Sequence, residues 1–173
     1  MPFSFSITIF IVMCYNKRKK LGDTMHDDYY FMNKAYKEAL KALNEDEVPV
    51  GAIIVKDDKI IARAHNKKEH SNIATAHAEI LAINKANKKL NTWHLDNCVM
   101  YVTLEPCVMC VGAIIQSRIK KVVYGAKSYQ DGAIESAIKI IEPTGFNHYP
   151  ETLFLNNTEN CSKIITHYFK SKR

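Results

Sequence analysis

The chain is poor in residues that interrupt structure. Its 173 residues include six glycines and five prolines, too few for a flexible linker or a low-complexity segment. No internal repeat is visible. The apolar stretch Phe3 to Tyr15 is 13 residues long, short of the ~20 needed to span a bilayer. It also lacks a preceding positive charge, a small-residue cleavage site and the spaced arginines of a transit peptide, so neither export nor organelle targeting is indicated. Cysteine is scarce and odd in number, at five. Without an export signal, this argues against a disulfide framework and for reduced thiols or a metal site in an intracellular, cytoplasmic setting. A second C-x-x-C, which a structural zinc site would call for, is missing.

What is present suits one soluble globular domain. Hydrophobic residues make up 47% and charged residues 24%, and the length allows a single core but not two. The net charge is +6. Half of it comes from Lys17, Arg18, Lys19 and Lys20 set against Asp23, so the body is only mildly basic and charge alone does not specify a nucleic-acid partner. Residues 1–24 read as an extension outside the domain, with Met25 as a candidate start. Residues 25–173 read as the domain itself.

Along the body, Met32, Ala35, Tyr36, Ala39, Leu40 and Leu43 recur at three- and four-residue steps, a helix that Asp27 or Asp28 can cap. Val50–Val55 and Ile60–His65 read as the two strands of a hairpin, followed by a polar loop from Asn66 to Asn72. A second helix is expected over Ala76–Asn87, a strand over Val99–Thr103, and a helix that opens with Pro106 in its first position and runs to Ser117. A strand at Lys121–Gly125, loop and short-helix material, and a terminal helix over Glu159–Phe169 complete the pattern. Four strands alternating with helices predict an α/β domain, and the hairpin makes the sheet mixed.

Two helix starts carry the chemistry. Cys107 and Cys110 lie three apart at the beginning of one helix, so their sulfurs share a face, and a helix N-terminus favours the thiolate that metal binding needs. His77 begins another helix and offers a neutral nitrogen. A Cys₂His set leaves a fourth zinc position open, the mark of a catalytic site, where the pKa of bound water falls from about 15.7 to around 7. Glu79 stands two positions from His77 and does not share its face, so it is read as a proton carrier and not as a ligand. H-x-E alone is weak. About 26 residues before P-C-x-x-C, each at a helix start, it is a strong joint signal for one catalytic zinc. Cys14, Cys98 and Cys161 read as buried small hydrophobes, and the remaining histidines as surface or satisfied residues.

These residues resemble the cytidine-deaminase-like zinc deaminases, whose H-x-E…P-C-x-x-C signature they carry. Further segments resemble the bacterial tRNA adenosine deaminase branch: Glu47-Val-Pro-Val-Gly-Ala52, His65-Asn66, Thr75-Ala-His-Ala-Glu-Ile80, Leu104-Glu-Pro-Cys-Val-Met-Cys110, Val122-Val-Tyr-Gly-Ala126 and Gly145-Phe-Asn-His148. The resemblance covers residues 27–173. It implies a three-layer α/β/α sandwich around a mixed sheet of about five strands, and hydrolytic conversion of adenosine to inosine at the wobble position of a tRNA anticodon. One zinc ion would be held by His77, Cys107 and Cys110, with Glu79 as proton shuttle. It further implies substrate contacts at Val50, Asn66, Ala78, Asn147, His148, Tyr168, Phe169 and Lys170. The partner would be the anticodon stem-loop, and the assembly a homodimer or, in a eukaryotic setting, a heterodimer with an inactive paralogue; no membrane is implied. The chain departs from the branch's pattern at Ser128, commonly acidic, and at Glu135-Ser136, often Gly-Ser.

Two alternatives remain open at this level: a deaminase of a free base or nucleotide (guanine, cytosine or deoxycytidylate), and a zinc-stabilised subunit without activity. The end of the chain, His167-Tyr-Phe-Lys-Ser-Lys-Arg173, interleaves aromatic and basic residues as base stacking beside phosphates requires. It also reads as an ordinary helix packing Ile164, Ile165 and Tyr168 on the core.

Overall fold

The computed structural model describes residues 25–141 and 145–172. The extension expected over residues 1–24, with Cys14, lies outside the described residues. Helix α1 (Asp28–Asn44) starts where Asp27 accepts a hydrogen bond from the Tyr30 N–H at 2.7 Å, one of the donors a helix start leaves free. Strands β1 (Gly51–Lys56) and β2 (Lys59–His65) form the hairpin. Asp57 and Asp58 both have positive φ, 49° and 60°, which suits the tight turn that joins twisted strands.

The polar segment after β2 is not all loop. It forms the one-turn helix α2 (Lys68–Ser71), held by His70 N–H donating to Glu47 and closed by the left-handed Asn72. Helix α3 (Ala78–Leu90), strand β3 (Cys98–Val102), helix α4 (Val108–Gln116) and strand β4 (Lys121–Tyr124) follow as expected in kind. Pro106 is not the first residue of α4. Cys107 is its N-cap, extended at φ −75°, ψ 173°, because a bridge to Gly132 and a bond from Ala133 N–H to Pro106 O hold this segment straight. Strand β5 (Glu151–Phe154) falls where the sequence suggested loop. It is a four-residue, largely exposed edge strand and so presents no buried apolar run to read. Helix α5 (Glu159–Ser171) ends the described chain.

The five strands form one sheet in the order β2-β1-β3-β4-β5. Pairs β2/β1 and β1/β3 are antiparallel, while β3/β4 and β4/β5 are parallel. The sheet is mixed, and five-stranded as the resemblance implied. Alternation along β1 divides the core: Ala52 and Ile54 join α3 and α4 on one face, whereas Ile53 and Val55 join α1 and Cys161 of α5 on the other. Three layers result. α1 crosses β1 so closely that a Cβ on Gly51 would lie 2.1 Å from Ala35 O and 2.4 Å from Ala39 N. Cys98 and Cys161 are buried as expected. No helix among the described residues is long and apolar enough to cross a membrane.

Candidate active site

The parallel neighbours β3 and β4 end together, and the chain leaving β3 turns directly into α4. This brings the first turn of α4 beside the first turn of α3. His77 and Cys107 occupy the same station on their helices: each is the extended N-cap, and neither spends its side chain on capping. Both side chains are therefore free to point across the gap. His77 Nδ1 lies 3.6 Å from Cys110 Sγ and 3.8 Å from Cys107 Sγ, and the three donor atoms fall within 4.8 Å of one another.

Tetrahedral bonds of ~2.3 Å to sulfur and ~2.0 Å to nitrogen would place ligand atoms about 3.5–3.8 Å apart, so this donor set fits zinc in both chemistry and spacing. Among the described residues, no fourth His, Cys, Asp or Glu joins the cluster. The protons are already distributed in favour of a thiolate. A hydrogen bond from Cys110, against the opposing pull of burial and with a further bond from His77, lowers the Cys107 thiol to about 4. The same contact with Cys107, together with burial, raises Cys110. His77 is raised chiefly by its bond to Cys107.

Glu79 sits one residue inside α3, is only 4% exposed, and lines the cleft with His77 and Cys107. Burial raises its carboxyl above the usual carboxylate range. A carboxyl poised to exchange a proton, beside three metal donors and an open cavity, is the equipment of hydrolytic chemistry.

The cleft has a volume of about 570 Å³. Val48, Val50 and Asn66 line it from the base of the hairpin, and Lys68 and Glu69 from α2. Leu104, Glu105 and the segment Lys127–Asp131 form the facing wall, with Ile165 and Phe169 of α5 at its rim. Asn66 is nearly buried and donates from Nδ2 to Glu47 at 3.0 Å. The rim helix is tied down by Tyr168, whose hydroxyl donates to Asp46 O at 3.1 Å, and by Lys172, 2.6 Å from the Asp46 carboxylate.

Of the residues singled out from the sequence, His77, Glu79, Cys107, Asn66, Val50 and Phe169 line this cleft, and Cys110 completes the donor cluster behind it. Ala78 is fully buried in α3. The terminal helix packs on the core as its apolar spacing predicts, with Ile164 and Tyr168 buried and Ile165 partly so, while Phe169 is exposed at the rim of the cleft. Lys170 and Asn147 are exposed outside the lining, and His148 hydrogen-bonds Ile119 O through Nε2 at 2.7 Å.

Two buried carboxylates at or next to the cleft received no role from the sequence. Glu47 is fully buried, and Glu105 is 3% exposed. Burial alone would raise the Glu105 carboxyl, but hydrogen bonds from Ser136 and from the N–H groups of Glu135, Ser128 and Ser136 outweigh it and hold the pKa below the ordinary value. Their signal was a charged residue at a strand or helix junction with no partner of opposite charge nearby in sequence.

Comparison with known proteins agrees with this geometry. The MafB19-like deaminase family matches residues 25–173. The tRNA-specific adenosine deaminase of Bacillus subtilis (strain 168) is 42% identical over 149 residues, covering 86% of this chain and 92% of that protein. A solved structure from work on A-to-I editing by tRNA:A34 deaminases at the wobble position of transfer RNA superposes with a TM-score of 0.76 at 38% identity, over 79% of this chain and 99% of that one. The guanine deaminase of Bacillus subtilis is 43% identical with a TM-score of 0.57, over 59% of this chain and 66% of that one. The donor cluster, the adjoining buried carboxyl and these likenesses agree: the chain belongs to the MafB19-like deaminases and to the family of the tRNA-specific adenosine deaminases.

Proposed function

We propose that this protein hydrolytically deaminates adenosine to inosine at the wobble position of a tRNA anticodon. The observation that carries the reading is Glu79, buried at the cleft that His77 and Cys107 also line, with Cys110 completing their donor cluster from behind. These three would hold a zinc ion, which when bound supplies Lewis acidity that makes a water reactive near neutral pH.

The reaction adds water at C6 of the purine and releases ammonia. Glu79 takes a proton from the attacking water, delivers it to N1 as the ring is attacked, and carries protons to the departing amino group. Its raised pKa suits both halves of that cycle. Asn66, held by Glu47, contacts the nucleoside, and Val50 packs against the base. Lys68 and Lys127 in the cleft wall, with Phe169 at the rim, supply cations for phosphates and a ring for an unpaired base. Ala78, Asn147, His148, Tyr168 and Lys170 are assigned to the same substrate by resemblance. The deaminase domain spans residues 25–173, and the protein acts in the cytoplasm as a homodimer.

The likeness to a guanine deaminase supports a second reading, a free base as substrate. The two are separated by offering purified, zinc-loaded protein an anticodon stem-loop with adenine at the wobble position, alongside free adenosine, guanine, cytosine and deoxycytidylate. Inosine in the nuclease digest of the RNA is the expected result. Ammonia from a free base with none from the RNA would establish the alternative.

A further inference from the structure

The loop Ala126–Ser136 supplies one wall of the cleft through Lys127–Asp131, yet it has no regular secondary structure to hold it there. Ser128, Tyr129, Gln130 and Asp131 face the cavity, and Tyr129 is 79% exposed. Such a loop keeps one shape only if its polar groups are tied to something rigid. The tie is Glu105. Its Oε1 accepts the N–H groups of Ile134 at 3.1 Å, Glu135 at 2.8 Å and Ser136 at 3.0 Å. Its Oε2 accepts the Ser128 N–H at 3.1 Å and the Ser136 hydroxyl. Backbone and side chain act together, since Glu105 N–H also donates to Ala126 O at 2.8 Å. The loop is shaped around this carboxylate: a Cβ on Gly132 would fall 2.5 Å from it.

We propose that Glu105 is a positioning residue for the substrate. A single buried carboxylate gathers both ends of the loop and sets the distance between that wall and the metal-binding corner. The connection is short. Glu105 lies two residues before Cys107, so one extended segment holds both the loop and a zinc-ligand candidate. No cation neutralises Glu105 among the contacts described; four backbone N–H groups and one hydroxyl do so instead, an arrangement that costs main-chain freedom over 11 residues and has a use only if that surface must be fixed. Substrate that touches Ser128–Asp131 then binds a wall already in place, and the loss of Glu105 appears as weaker binding more than as slower chemistry. This rests on reading the cleft as the substrate site.

The test is Glu105→Gln, which keeps the shape of the side chain but can offer only one acceptor oxygen, so that an N–H₂ group faces either the Ser128 or the Ile134–Ser136 donors. The zinc-loaded variant is assayed with the anticodon stem-loop, or with whichever base the wild type turns over, and amide hydrogen exchange is followed in parallel. Expected are a rise in KM of about tenfold with kcat within about threefold, unchanged zinc content, and faster exchange confined to residues 128–136. Ser136→Ala, which removes one of the five bonds, should move KM in the same direction by about two- to fourfold. An unchanged KM in Glu105→Gln overturns the proposal, as does a fall in kcat that tracks lost zinc. If the wild type turns over no RNA, the function proposed above fails; the exchange data still decide whether Glu105 holds the wall, and unaltered protection over 128–136 would refute it.

Discussion

The carboxylate of Glu47, wholly out of solvent, faces the side-chain amide of Asn66: Nδ2 donates to Oε2 at 3.0 Å, while Oε1 accepts the His70 N–H at 2.7 Å. A carboxylate only accepts, so this contact decides which end of the Asn66 amide turns toward Glu47. Glu47→Ala leaves the buried Asn66 amide without its acceptor and frees the His70 N–H, which belongs to an exposed residue. The expected cost is about 1–3 kcal/mol in urea unfolding, carried by the buried Asn66 donor, with a rise in KM as Asn66 loses its fixed orientation. A variant with wild-type KM would mean that Asn66 needs no such support.

Glu79→Ala is expected to retain zinc and the fold while losing turnover by at least ~10²-fold. Metal content and circular dichroism check the first half, and inosine formation the second. Retained activity would remove Glu79 from the proton path.

His77→Ala and Cys107→Ala should lose zinc and stability together, because a metal that binds only the folded state stabilises that state. Metal analysis after dialysis and thermal unfolding measure both. Full occupancy in either variant would show that the donors are misassigned.

The lowered pKa of Cys107 gives a pH prediction for protein stripped of metal with a chelator. The group is depressed to about 4, so its thiolate persists above that pH and disappears only below it, whereas Cys98, Cys110 and Cys161 are raised and stay protonated at neutral pH. Among the cysteines of the described residues, iodoacetamide at pH 6 should therefore label Cys107 first. Peptide mass mapping reads the outcome, and preferential labelling of Cys110 would reverse the proton assignment.

Gly51→Ala tests the fold. The added methyl group would meet backbone atoms of α1, Ala35 O and Ala39 N, which cannot swing aside as a side chain does. A loss of about 1–3 kcal/mol or more is expected in denaturant unfolding.

The donor cluster was legible because metal ligation demands particular residue types at helix-start spacing, and His77, Cys107 and Cys110 meet that demand within short motifs. Strong apolar periodicity likewise revealed α1, β1, β3 and β4. What escaped the sequence was tertiary in origin. β5 is a short exposed edge whose existence depends on pairing with β4. Helix α2 is one turn, stabilised from outside by Glu47, 23 residues from the His70 N–H it holds. Pro106 looked like a helix opener, but its bond from the Ala133 N–H and the bridge between Cys107 and Gly132 keep the segment extended and make Cys107 the cap. The role of Glu105 was invisible because the four residues that supply its five bonds lie 23 to 31 residues downstream.

The clasp between α5 and Asp46 has a practical corollary for anyone purifying this protein. Phe169 borders the cavity, and Lys172, three residues later, grips Asp46. A peptide handle appended at the carboxyl end would emerge next to the entrance and strain that grip. It would obstruct a bulky polynucleotide far more than a lone nucleobase, so a handle in that position could make an RNA-editing enzyme look like a small-molecule one.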